Sequence, residues 1–74
     1  MKVKFSSLDD VREFVSLATL QPYEVSVVDG ERVVSADSFM EMFTINFTHP
    51  LEVAVDGTEN VGRFAKAAAR FIVA

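Results

Sequence analysis

Asp29-Gly30 divides two short alternating segments, and this arrangement limits the fold more than any other feature of the chain. Before it, Tyr23, Val25 and Val27 alternate with Glu24 and Ser26; after it, Glu31 to Ala36 reads as a return strand. Asp-Gly in this setting is a strong hairpin signal, because a type I′ turn needs positive φ at both central residues. A two-residue turn at Asp29-Gly30 sets Val28 opposite Glu31 and Val25 opposite Val34. Val34 and Ala36 then share one face with Val25 and Val27. An antiparallel pair that is apolar on one side only must be covered on that side by helices or a second sheet.

The flanking chain supplies those helices. Lys2 to Phe5 alternates and reads as a strand with Val3 and Phe5 inward. Ser6 or Ser7, each with an aspartate three residues on, caps a helix whose stripe is Leu8, Val11, Val15 and Ala18 with Phe14 beside it. Pro22 disfavours helical geometry at Gln21, so this helix ends near Leu20. His49-Pro50 marks a turn, Leu51 to Val55 alternates as a strand, and Asp56-Gly57 ends it. Thr58 caps a last helix with Val61, Phe64, Ala65, Ala68, Phe71 and Ile72 on one face. The predicted order is β-α-β-β-α-β-α, an α+β domain over residues 1–74 with a four-stranded antiparallel sheet.

Between these elements lies Asp37 to Phe47, with Phe39, Met40, Met42, Phe43 and Phe47 inside nine residues. Ser38 followed three residues later by Glu41 is the pattern of a capping box, which predicts a short helix here. A domain of 74 residues does not easily bury all five side chains. Met42 and Ile45 fall on the core side by spacing. Phe39, Met40 and Phe43 are the candidates for a surface that meets a protein partner or a second copy of the chain.

Charge and composition exclude other classes. A net charge of −4 argues against nucleic acid as a partner. The charge is uneven: four basic residues stand against ten acidic ones up to Asp56, while Thr58 to Ala74 carries Arg63, Lys66 and Arg70 against Glu59 alone. Those three cations form a stripe on the last helix, read as a solvated face. There is no cysteine, so neither disulfides nor a thiolate metal site is available. His49 is the single histidine, with Glu52 its nearest acid in sequence, and reads as an exposed turn residue rather than a metal ligand or phosphoryl acceptor. No apolar run spans a bilayer and the first residues lack a signal-peptide pattern, so the expectation is a cytoplasmic protein without membrane contact. No constellation of catalytic side chains is present and no cofactor or metal is implied; the expectation is a protein that is not an enzyme.

The element order and several segments resemble the histidine-containing phosphocarrier protein (HPr) family of the bacterial sugar phosphotransferase system. Asp37-Ser38-Phe39-Met40-Glu41-Met42-Phe43-Thr44-Ile45 is similar to the family's Lys-Ser-Ile-Met-Gly-Val-Met-Ser-Leu type of segment. Phe14-Val15 and Ala18 match the family's Phe-Val and following alanine. The resemblance implies an open-faced sandwich with three helices on one side of the sheet. It implies that Phe39, Met40 and Phe43 occupy positions that family members present to protein partners. It also makes Ser38 a candidate for regulatory phosphorylation, although Asp37 and Glu41 replace the family's lysine and glycine and oppose a phosphate.

The family's acceptor motif, Gly-Leu-His-Ala-Arg-Pro, is not preserved. Aligning on Phe14-Val15 puts Ser7 at the phosphorylated histidine, Asp9 at the arginine and Asp10 at the proline. Serine is a far poorer nucleophile at neutral pH, and two carboxylates repel incoming phosphate. The resemblance therefore implies a non-catalytic interaction or regulatory module that has lost its acceptor. The alternative is a phosphotransfer component in which another residue or a partner chain restores the acceptor.

Overall fold

A computed structural model describes residues 1–73. The elements are β1 (Lys2–Val3), α1 (Leu8–Thr19), β2 (Val25–Asp29), β3 (Arg32–Ser35), α2 (Phe39–Met42), β4 (Leu51–Val55), α3 (Thr58–Ala67), a 3-10 turn (Ala69–Phe71) and β5 (Ile72–Val73). The strands form one sheet in the order β3-β2-β4-β1-β5, with every neighbouring pair antiparallel.

Alternation along the strands decides which face is covered. Val27 lies between Val34 and Val53, and Val3 between Leu51 and Ile72. Apart from the half-buried Ile72, these residues belong to the buried core together with Val11, Phe14, Val15 and Ala18 of α1, Met42 of α2, and Phe64, Ala68 and Phe71 after β4. All three helices thus contribute to one core on one side of the sheet. The other side presents Ser26, Val28, Glu52 and Ala54, half-buried or exposed, and the exposed Val33. The result is an α+β open-faced sandwich. Among the described residues, no helix is long and apolar enough to cross a membrane.

The centre of the core is aromatic. Phe14 meets Phe5, Phe64 and Phe71 edge-on at centroid distances of 5.0, 5.5 and 5.8 Å. These are the arrangements that the ring quadrupole favours.

Several expectations need correction. The sheet has five strands, not four, because the last helix stops at Ala67. The β-branched pair Ile72-Val73 instead joins the free edge of β1, and the Lys4 N–H donates to the Phe71 carbonyl at 2.9 Å. The hairpin register is shifted by two residues: Asp29 pairs with Arg32 and Val27 with Val34, so the turn residues are Gly30 and Glu31. Gly30 has φ +62° and no described non-glycine residue has positive φ. A turn needing positive φ at its first central residue alone, as type II′ does, places that demand on glycine and spares Asp29. A shift of two preserves the inward face, which is why Val34 and Ala36 are still buried.

The helix starts also differ in detail. Leu8 is 55% exposed, so the buried stripe of α1 begins at Val11. The residue before α3 is Gly57, at φ +87°, and Thr58 is already helical. A Cβ on Gly57 would lie 2.7 Å from Asn60 Nδ2, the mobile end of a side chain that can shift, so it is the positive φ that favours glycine at this position. Val61 is exposed and Ala65 half-buried, leaving Phe64 as the buried residue of α3.

Candidate functional site

α2 is a single turn held at both ends. The Ser38 hydroxyl accepts the Glu41 N–H at 3.3 Å, as a capping serine should. The reciprocal half of the box is different from the sequence expectation. Glu41 accepts the Ser35 N–H at 3.4 Å, while the Ser38 N–H donates to the Ser35 carbonyl at 3.2 Å. The carboxylate therefore ties α2 to the edge strand β3, and the Ser35 hydroxyl donates to Asp37 beside it. After the turn, the Arg32 guanidinium donates to the Thr44 carbonyl at 3.1 Å and its hydroxyl at 2.6 Å. The Asn46 N–H donates to the Asp29 carboxylate at 3.2 Å. The hairpin thus clamps the chain on both sides of α2.

With the backbone held, the side chains divide by face. Met42 and Ile45 are buried, as their spacing predicts. Phe39, Met40 and Phe43 are 44%, 84% and 47% exposed. The two rings are tilted against one another at 5.8 Å and form one surface, while Met40 follows Phe39 in the chain and is exposed. Phe47 is half-buried against the core. Asp37 and Glu41 are both exposed, with their carboxylates turned to Ser35 of β3.

Ser7 stands at the start of a different helix. It caps α1, its hydroxyl accepting the Asp10 N–H at 3.3 Å. Asp10 in turn accepts the Ser6 N–H at 2.8 Å. That hydrogen bond, with Arg70 at 3.2 Å adding to it against some desolvation, holds the Asp10 carboxyl below its ordinary pKa. A carboxylate of the chain thus already takes the backbone amide just before α1.

His49 is exposed in its turn. Its Nε2 lies 3.6 Å from Asp29, while Nδ1 is 3.0 Å from the Pro50 carbonyl. The acid beside it is Asp29 from the hairpin, not Glu52, and only the tertiary fold brings the two together. The stripe on the last helix is also altered. Arg63 and Lys66 are on α3, but Arg70 lies in the 3-10 turn and binds Asp10 and Glu13 of α1, with its guanidinium 4.2 Å from the Phe71 ring centroid. Nothing in the spacing of residues sixty apart signals this cluster.

Sequence reasoning also missed a groove of about 410 Å³ between α1 and the end of α3. Arg12, Glu13, Ser16, Leu17 and Leu20 line one wall, Ala67 and Arg70 the other.

No family model matches this chain, and a search of curated proteins finds no match to it.

Proposed function

We propose that the chain is a non-catalytic, HPr-like protein-interaction or regulatory module related to the phosphotransferase system. In this reading it has lost the acceptor histidine and works through the α2 surface. The observation that carries the reading is the exposure of Phe39, Met40 and Phe43 on a clamped turn whose other side, Met42 and Ile45, is buried. A small domain with a well-filled core gains nothing for its own stability by presenting a thioether at 84% exposure. Contiguous apolar surface of this kind is characteristic of contact sites.

The HPr-like part of the reading is supported by the element order through α3 and by the one-sided layering of the helices. It is further supported by the serine that caps α2. The loss of the acceptor is supported by Ser7, Asp9 and Asp10, the last already engaged by Ser6 and Arg70. Ser38 belongs to the same surface as a modification candidate, and a phosphate there would stand beside Asp37 and Glu41.

Magnitude limits the strength of the complex. Each large apolar side chain is worth ~1.5–3 kcal/mol on full burial. Scaled by the exposed fractions, the three contribute roughly 3–5 kcal/mol before the cost of association. The patch alone therefore supports a weak, reversible complex, with a partner protein or a second copy, and polar contacts at its border must add to it.

Replacing Phe39 and Phe43 together by serine tests the reading. The variant should keep its amide chemical-shift dispersion while losing both partner capture and any self-association of the wild type. A folded double variant that retains every interaction of the wild type would remove the reading.

A further inference from the structure

The segment after α3 lies outside that reading and is held by few contacts. β5 meets β1 in two residue pairs, Lys2 with Val73 and Val3 with Ile72, and the Lys4 N–H donates to the Phe71 carbonyl at 2.9 Å. Little apolar surface supports those bonds, since Ile72 is half-buried and Val73 is 36% exposed. Arg70 also ties the segment to α1 through Asp10 and Glu13. The Arg70 and Glu13 side chains are more than half exposed, and ion pairs of that exposure contribute little. A short edge strand of this kind is where a fold opens first.

The sequence of the same segment favours a second conformation. From Arg63 to Val73 there is neither glycine nor proline, and Ala67, Ala68, Ala69 and Arg70 are strong helix formers. α3 is nevertheless interrupted at Ala68, whose φ of −102° and ψ of 17° stand about 40° and 60° from helical values. The Ala68 N–H still donates to the Phe64 carbonyl at 2.9 Å, as in a continuing helix. Beyond it, the Phe71 and Ile72 N–H groups donate to the Ala68 and Ala69 carbonyls, three residues back. A change centred on Ala68 lets both donate four residues back instead, to Ala67 and Ala68. The segment's own hydrogen bonds are thus exchanged, and only the ladder to β1 is given up. Phe64, Ala68 and Phe71 are spaced i, i+4 and i+7, so a continuous helix keeps all three on one face.

We infer that residues 68–73 form a two-state element, which alternates between the 3-10 turn with β5 and a helical continuation of α3. The strand form fills the edge of β1, and the helical form bares it. Alternation along β1 identifies the groups concerned. The Met1 carbonyl accepts the Val53 N–H on the β4 side, whereas the Lys4 N–H points to Phe71 on the other side. Lys2, two residues before Lys4, therefore turns its N–H and C=O to β5 as well. Release of β5 frees the Lys2 and Lys4 amides and the Lys2 carbonyl, and an edge of unpaired groups is a template for an added strand. At the opposite edge of the sheet, the Ser35 N–H and C=O are taken by Glu41 and Ser38. There α2 guards the sheet, and here β5 does so reversibly.

NMR of the full chain tests this. In the wild type, the Lys4 amide should exchange with deuterium about tenfold or more faster than the Val27 amide of the interior strand β2. Replacing Ile72 and Val73 together by alanine weakens β5 and leaves Phe71 in place. In that variant the Cα chemical shifts of residues 69–72 should move to helical values. Protection of the Lys4 amide should vanish while Val27 stays protected. Should the pair unfold the domain, seen as loss of protection at Val27, Val73→Ala alone replaces it, at a position 36% exposed. A wild-type Lys4 amide as slow as Val27, or a variant whose residues 72–73 keep strand shifts, would overturn the inference. Random-coil shifts in the released segment would also overturn it, because they mark a fraying end with no helical alternative. None of these measurements involves the α2 surface, so the proposed function stands or falls separately.

Discussion

Replacing Phe14 by alanine should bring the domain close to unfolding, and the expected size follows from its surroundings. The ring is fully buried and meets Phe5, Phe64 and Phe71 edge-on, so three separate parts of the chain converge on it. Truncating a buried phenylalanine to alanine costs ~3–5 kcal/mol, through lost transfer energy and the cavity left behind. Each edge-on pair adds ~0.5–1.5 kcal/mol beyond area, which puts this site toward the upper part of that range. A chain of 74 residues has about 4–11 kcal/mol in total, at ~0.05–0.15 kcal/mol per residue. The substitution therefore removes between about a third and all of the stability. The assay is urea unfolding followed by circular dichroism, read as a shift in midpoint at constant slope. Met40→Ser is the matched control: at 84% exposure it should change stability by no more than ~0.5 kcal/mol. If Phe14→Ala costs less than ~2 kcal/mol, or if Met40→Ser costs as much, the division into an aromatic core and an exposed α2 surface is wrong.

Two glycines should respond in opposite directions. Gly57→Ala, at φ +87°, should destabilise by ~1 kcal/mol or more, whereas Gly62→Ala, with open space around it inside α3, should stabilise by ~0.5–1 kcal/mol; thermal melts of both variants decide it. Asp10 should titrate below an ordinary aspartate in a carboxyl NMR titration, because the Ser6 N–H and then Arg70 favour its charged form. Since the folded pKa is the lower one, this contribution to stability is present above the unfolded value of about 3.9 and disappears as pH falls through the folded value. Asp10→Asn should therefore flatten the acid side of the stability profile and leave its alkaline side unchanged. Incubation with phosphoenolpyruvate and the upstream enzyme of the phosphotransferase chain should leave no acid-labile phosphate on the protein; phosphohistidine at His49 would contradict this.

The alternating valines and the short helical stripes carry most of the fold in the sequence itself. Leu51 to Val55 is a strand with Leu51 and Val53 inward because a period of two leaves only one way to bury both. Pro22 and the paired Ser7 and Asp10 bound α1 by local chemistry, and the Phe39–Met42 turn follows from Ser38 for the same reason. The division of α2 into a buried Met42 and an exposed Phe39, Met40 and Phe43 was also readable, since one turn can face the core on one side only.

Tertiary structure decided what local preference left balanced. Nothing in Ala67-Ala68-Ala69 stops a helix, yet the edge of β1 offers unpaired amides and carbonyls, and Ile72-Val73 satisfies them as a fifth strand. The hairpin register follows from where positive φ costs least, and both registers place the same valines inward, so the alternation could not choose between them. The partners of charged residues were hidden for a further reason. Arg70 reaches Asp10 and Glu13, and Asp29 reaches His49, across distances along the chain that no periodicity records. The groove between α1 and the end of α3 has the same origin: its walls are half-buried or exposed residues of α1 and its C-cap, the last residue of α3 and the 3-10 turn, and only their packing on one sheet makes them a single surface.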